Sequence, residues 1–377
     1  MLKGSEDTQA VAIGGELKNS FCVLRNGMLY LSPYVGDMAD VRTVKALDES
    51  LERMTDMLEA QPQTVVCDKH PMYNTVMFAE EYAKKNSLPL VQIQHHYAHI
   101  LACMAENNYQ SDVIGLSLDG TGYGEDKTIW GGEILLSNYF GFARLGSIAP
   151  FIQTGGDLSA KEGWRCAAAL IRDSFENGSE VCKELGVCSE QEYKLLAAMA
   201  EKGLNSVKST SAGRLFDAVS AVLGIRRAST FEGEASTALM YHAQLFERKL
   251  NESYISDFND KLISDEGGFI TLNTTALVRH LAEQRLAGED SDRLAYEFHF
   301  TLAKMLISAC ERVRELTSQN TVALSGGVFQ NKLLVTLTNE GLKEKGFNVL
   351  LHSLVPPNDG GIALGQAAYA AFNPINN

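Results

Sequence analysis

The chain switches between two hydrophobic spacings, and the order of switching repeats. Residues 11–15 (VAIGG), 21–24 (FCVL) and 28–31 (MLYL) are short apolar runs separated by polar turns. They predict three strands, the last two joined as a hairpin at Asn26-Gly27. Residues 41–60 then carry apolar side chains at Val44, Leu47, Leu51, Met54 and Leu58, which is helical spacing. A strand at 64–67, a helix at 73–86, a strand at 88–93 and a helix through the histidines after it complete a first set. The same order returns with strands at 113–118, 128–137 and 142–148. After an insert come a helix within 292–316, a strand at 322–324, a helix within 332–344, a strand at 348–351 and a last helix at 361–372.

Two sets of three strands, helix, strand, helix, strand, helix predict an α/β chain of duplicated architecture, with no visible sequence identity between the halves. We expect an N-terminal lobe at 8–110 and a C-terminal lobe at 111–377. Residues 157–287 read as a helical insert in the second lobe, with helices at 164–174, 189–202 and 236–251 and breaks at Gly155-Gly156 and at 265–268. Three antiparallel strands leading each half is the pattern of the two-lobed actin, hexokinase and Hsp70 (ASKHA) class. In that class nucleotide lies between the lobes, which names a fold and no chemistry.

Charge narrows the partners. Lys and Arg number 33 against 47 Asp and Glu, a formal net charge of −14, and the basic residues are dispersed. That disfavours nucleic acid as the main partner. No apolar run approaches a membrane span, and the first residues lack the order of a signal peptide, so cytoplasm is expected. Seven cysteines, an odd number without a CxxC pair, suit free thiols in a reducing compartment and exclude a zinc ribbon.

The densest chemistry lies in VQIQHHYAH, residues 91–99, where an apolar–polar alternation ends in histidines. His95 and His99 stand four apart at a helix start, both rings on one face, and can grip a divalent metal such as iron, zinc or nickel. Core packing of one ring is the competing reading. LDGTGYG, residues 118–124, ends a strand with alternate glycines, either a plain hairpin or a turn offering backbone N–H groups to phosphate. Asp119 there is a candidate oxygen ligand. SGGVFQN, residues 325–331, follows a strand and opens a helix; either it is a plain strand-to-helix turn or its glycines permit a purine and ribose close to the backbone, with the Asn331 amide able to read polar edges. VPPNDGG, residues 355–361, precedes the last helix, with Asp359 either an N-cap or a third metal ligand. In SAGRLFDA, residues 211–218, Leu215 faces the core and Asp217 is left for ribose hydroxyls, the competing reading being a solvated helix start. No Ser-His-Asp order or Walker motif is evident, and His70 reads as structural or as a support behind a site residue.

Taken together, CDKHPMY, QHHYAHILACMAE, LDGTGYGEDKTIWGGE, SAGRLFDAVSAVLG, SGGVFQNKLL and VPPNDGGIALGQAA resemble the C-terminal region of HypF, the carbamoyltransferase of nickel–iron hydrogenase maturation. The region is similar to threonylcarbamoyl-tRNA transferases. The resemblance implies a divalent metal, iron or zinc, held by His95, His99 and Asp359 with Asp119 as a further ligand, these four forming the catalytic set. It implies contacts to ATP, AMP or carbamoyl-adenylate from Gly120, Thr121, Gly122, Asp217, Gly326, Gly327 and Asn331. The carbamoyl group would pass from carbamoyl-adenylate to the C-terminal cysteine of a HypE-like acceptor, on the way to the cyanide ligand of the hydrogenase iron. A full HypF carries acylphosphatase-like, zinc-binding and YrdC-like domains upstream, so a YrdC-like domain or protein elsewhere is expected to make the adenylate. Gly163 and Glu234 stand where the family usually has Pro and Gln. The rival readings are threonylcarbamoyl transfer to tRNA, a small-molecule O-carbamoyltransferase, and an inert nucleotide-binding scaffold. The last should have lost the metal set.

Overall fold

The computed structural model describes residues 7–250 and 253–375. The first lobe runs β1 (Ala10–Ala12), β2 (Cys22–Arg25), β3 (Met28–Leu31), α1 (Val41–Met57), β4 (Thr64–Asp68), α2 (Asn74–Lys85), β5 (Leu90–Ile93) and α3 (His95–Glu106). The second begins with β6 (Val113–Tyr123), β7 (Ile129–Asn138), β8 (Gly141–Ile148) and β9 (Phe151–Thr154). There follow α4 (Leu158–Lys161), α5 (Trp164–Ser174), α6 (Gly178–Glu184), α7 (Glu190–Glu201), β10 (Ser206–Ser209), α8 (Ala212–Val222) and α9 (Glu234–Glu247). The chain ends with β11 (Ile263–Glu266), β12 (Phe269–Leu272), α10 (Thr274–Leu286), α11 (Ser291–Thr317), β13 (Thr321–Ser325), α12 (Lys332–Glu344), β14 (Asn348–Leu350) and α13 (Ile362–Phe372).

The duplication is visible in sheet topology. The first sheet has the order β3-β2-β1-β4-β5, and the second repeats it as β8-β7-β6-β13-β14. In each, the three leading strands are antiparallel and the two that follow helices are parallel. Parallel pairing requires a crossover, and the helices between these strands provide it.

The insert departs from expectation. It contains helices α4 to α10, and it also contributes strands. β12 adds to the free edge of β8, β11 pairs with β12, and β10 joins β7 and β9. The break expected at 265–268 is the turn of the β11–β12 hairpin, with Gly267 and Gly268 in left-handed conformation. These strands are four residues long and partly polar, too short to set a period of two against the helical background. The helix expected at 236–251 occupies 234–247; Asn251, and the last two residues assigned to the second lobe, lie outside the described residues.

Helices α3 and α13 lie between the two sheets. One buried cluster joins Ala10 and Val66 of the first sheet, Ile100, Leu101 and Met104 of α3, Ala363 and Ala367 of α13, and Val113, Leu135 and Ala323 of the second sheet. The last helix of the chain therefore packs against the first strands. Buried Gln366 of α13 accepts from the Gly14 N–H at 2.8 Å. The two helices cross so closely that a Cβ at Gly365 would stand 1.9 Å from the Ala98 carbonyl oxygen. This close crossing fixes the start of α3, and hence its histidines, against the segment carrying Asp359.

Candidate metal centre and its surroundings

The β5–α3 junction delivers the histidines. Gln94 caps α3, its side-chain oxygen accepting from the Tyr97 N–H, and His95 is the first helical residue. One helical turn later His99 presents its ring to the same space, with centroids 5.0 Å apart. Both side chains are buried. Asp119 comes from β6 where the ladder with β7 slips between Leu118 and Gly122, so this stretch leaves the regular pairing and turns its carboxylate inward. Asp359 comes from the turn before α13. The alternative role for Asp359 is taken by Asn358, whose side chain accepts from the Gly360 N–H and caps the turn. The aspartate is left to face the histidines.

These four side chains converge. One ligand atom from each of His95, His99, Asp119 and Asp359 lies within 4.8 Å of the others. His95 Nε2 is 3.3 Å from Asp119 Oδ2 and 3.7 Å from Asp359 Oδ1. His99 Nε2 is 3.5 Å and 3.7 Å from the same two oxygens. Tetrahedral bonds of about 2.1 Å put neighbouring donors about 3.4 Å apart, so the spacing suits one small cation. The donor chemistry agrees. Both ring nitrogens of His99 are buried without a hydrogen-bond partner among the described residues, a costly arrangement unless a further ligand satisfies them.

The surroundings orient these groups. Asp68, at the end of β4, holds His95 Nδ1 at 2.7 Å through Oδ2, while its Oδ1 accepts from the His70 N–H. With its proton on Nδ1, His95 turns the Nε2 lone pair toward the cluster. Asp119 Oδ1 accepts from the Gly327 N–H at 3.0 Å, leaving Oδ2 for the centre. Electrostatic strain is evident in the proton affinities. Burial and the neighbouring Asp119 charge raise Asp359 to about 6, against the pull of both histidines. Burial also acts to raise Asp119, but the adjoining rings of His95 and His99 outweigh it and hold Asp119 well below the carboxylate range. Two carboxylates and two imidazoles confined together are relieved by a divalent cation.

Among the expected nucleotide contacts, Gly326 and Gly327 are built into this centre. Gly326 has φ of 100° and passes so near Leu118 that a Cβ would stand 2.2 Å from its carbonyl oxygen. Gly120, Thr121 and Gly122 lie along the irregular stretch of β6, and the Gly120 carbonyl accepts from Ser211 Oγ at the start of α8 at 2.5 Å. Asp217 is buried and paired with Arg214 at 3.1 Å; burial raises its pKa despite that cation. Asn331 is engaged at both ends: Oδ1 caps α12 by accepting from the Leu334 N–H, and Nδ2 lies 2.9 Å from His299 Nε2. Its amide serves the α11–α12 packing, a role the sequence reading did not assign.

The chain matches known proteins along most of its length. Residues 5–106 match the HypF Kae1-like domain, and residues 115–366 match the second subdomain of the carbamoyltransferase Kae1-like domain. The carbamoyltransferase HypF homolog of Cupriavidus necator is 36% identical over 98% of this chain and 93% of its own length. Carbamoyltransferase HypF of Rhodobacter capsulatus is 36% identical over 98% of this chain, and the probable HypF of Methanocaldococcus jannaschii is 33% identical over 96%. The chain spans about half the length of these two longer relatives, 47% and 46%. A crystal structure of full-length HypF in a phosphate- and nucleotide-bound form superposes with a TM-score of 0.90 at 31% identity, covering 100% of this chain and 57% of that one. T. kodakarensis HypF gives 0.85 at 29% identity, over 97% and 47%. The duplicated α/β lobes are thus those of the HypF structures, and the chain belongs to the HypF carbamoyltransferase family.

Proposed function

We propose that this protein transfers a carbamoyl group from carbamoyl-adenylate to the C-terminal cysteine of a HypE-like acceptor, in hydrogenase maturation. The observation that carries the reading is the convergence of His95, His99, Asp119 and Asp359 from distant parts of the chain. A divalent cation held by these four, iron or zinc by donor type, would supply Lewis-acid charge for an anionic oxygen of the donor. The Asp68 and Gly327 contacts hold two of the four donors in place before the donor molecule arrives. The glycines of the Gly120–Gly122 and Gly326–Gly327 stretches border the adenylate, and Asp217 exchanges Arg214 for ribose hydroxyls.

In the transfer, the acceptor's thiolate sulfur forms a bond to the carbamoyl carbon. The bond from that carbon to the adenylate phosphate oxygen breaks, and AMP leaves with its electron pair. The thiol proton is lost to solvent on ionisation. The chain supplies no nucleophile, and all seven of its cysteines are buried. Its contribution is positioning. A YrdC-like domain or protein supplies the adenylate. Free thiols suit a reducing cytoplasm, and no helix of the described residues is long and apolar enough to cross a membrane.

The test is transfer from carbamoyl-adenylate to a purified HypE-like acceptor, read by the mass of the acceptor's C-terminal peptide. The native protein should carbamoylate it, and the His95→Ala/His99→Ala variant should not, while keeping the native circular-dichroism spectrum. Full carbamoylation by the double variant would refute the reading.

A further inference from the structure

A second set of buried polar groups lies at the other end of α3. Glu106, the last residue of that helix, takes the His352 Nδ1–H at 2.8 Å on Oε2. Its Oε1 accepts from the Ser353 N–H at 2.6 Å, from Ser353 Oγ at 2.9 Å, and from the Leu354 N–H. His352 Nε2 lies 2.9 Å from Ser325 Oγ. The side chains of Glu106 and His352 are each 4% exposed, and Ser325 is fully buried. Ser325, His352 and Glu106 thus stand in the order and spacing of a catalytic triad, although nothing in their sequence positions, 325, 352 and 106, announces it.

Burial of the serine excludes the obvious use. Ser325 Oγ has no open face, and the next two N–H groups are already spent: Gly326 donates to the Pro357 carbonyl and Gly327 to Asp119. No oxyanion site remains beside the hydroxyl. What the three residues join is more telling. Ser325 begins the turn whose Gly327 N–H orients Asp119. His352, Ser353 and Leu354 belong to the loop that leads to Asp359. Glu106 closes the helix that begins with His95 and His99.

We propose that Glu106, His352 and Ser325 form a positioning relay that registers both aspartates against the helix carrying both histidines. The inference rests on the metal-centre reading above and adds the residues that set its geometry. Tautomer order follows from the contacts. The carboxylate fixes the proton on His352 Nδ1, so Nε2 accepts the Ser325 hydroxyl proton and the turn after Ser325 is locked. Groups that orient metal ligands change metal affinity about 10- to 100-fold when removed.

The experiment titrates Co2+ into the purified metal-free chain and records affinity and visible absorption, beside the melting temperature without metal. Ser325→Ala and Glu106→Gln should each weaken Co2+ binding about 10- to 100-fold and alter the ligand-field bands, and Ser325→Thr should restore both. A lowered melting temperature with unchanged bands and affinity in both variants would show a purely structural role and overturn the relay. Labelling of Ser325 by a fluorophosphonate would overturn it in favour of a nucleophile. If the native protein binds Co2+ as expected but carbamoylates nothing, the relay stands and the transferase reading fails.

Discussion

A single carboxylate illustrates what one residue contributes. Asp68 stands 27 residues from His95 in sequence, yet it fixes which nitrogen of that ring is free. Asp68→Asn offers an amide with both a donor and an acceptor, so the Nδ1 proton loses its selective partner. We expect metal affinity about 10- to 100-fold weaker, measured by competition with a chromophoric chelator; unchanged affinity would contradict the role. His299 gives a residue-scale prediction about pH. Burial holds its pKa down at about 4, below the ordinary value near 6.5, so between those limits the unfolded chain binds the extra proton. Stability should fall as pH drops from 7 toward 4, by about 3 kcal/mol from this group. Asp359, raised to about 6, acts in the opposite sense. Comparing urea midpoints of native protein and His299→Gln at pH 7 and pH 5 isolates the histidine; an identical pH slope in both would refute it.

Between elements, the same geometry explains what the sequence could and could not disclose. His95 and His99 were legible because four residues on one helix are local information. Asp68 was not, because only the β4–β5 register, which sets Asp68 beside Ile93, brings it under a histidine two residues further on. Asp359 was ambiguous for a related reason: an acid before a helix is usually its cap, and only the structure assigns that task to Asn358. The strands β10 to β12 escaped because their pairing partners, not their own sequence, make them strands. At this scale the α3–α13 crossing is the most demanding contact. Gly365→Ala would force a methyl against the Ala98 carbonyl and separate the helices. The expected cost is about 1–3 kcal/mol, read as a lowered melting temperature together with weaker metal binding; a neutral effect on both would mean the crossing is looser than described.

For the molecule as a whole, the duplicated sheets are a means of bringing distant chain segments to one point. The repeated strand order was readable from periodicity, whereas the placement of α13 between the sheets required the fold. Two of the four converging side chains come from the first lobe's last helix, one from the second lobe's first strand, and one from the turn before the final helix. A ligand that binds only the folded chain stabilises it, by about 2.7 kcal/mol at a hundredfold excess over its dissociation constant. Zn2+ should therefore raise the melting temperature of the native protein and leave that of His95→Ala/His99→Ala where it was. Equal shifts in both would place the bound ion elsewhere. The most direct test is metal stoichiometry by mass spectrometry on native protein, Asp359→Ala and the double histidine variant, each loaded with Zn2+ and desalted. One ion per native chain and none in either variant is the expected result. One ion retained in both variants would contradict the four-residue centre on which the function rests.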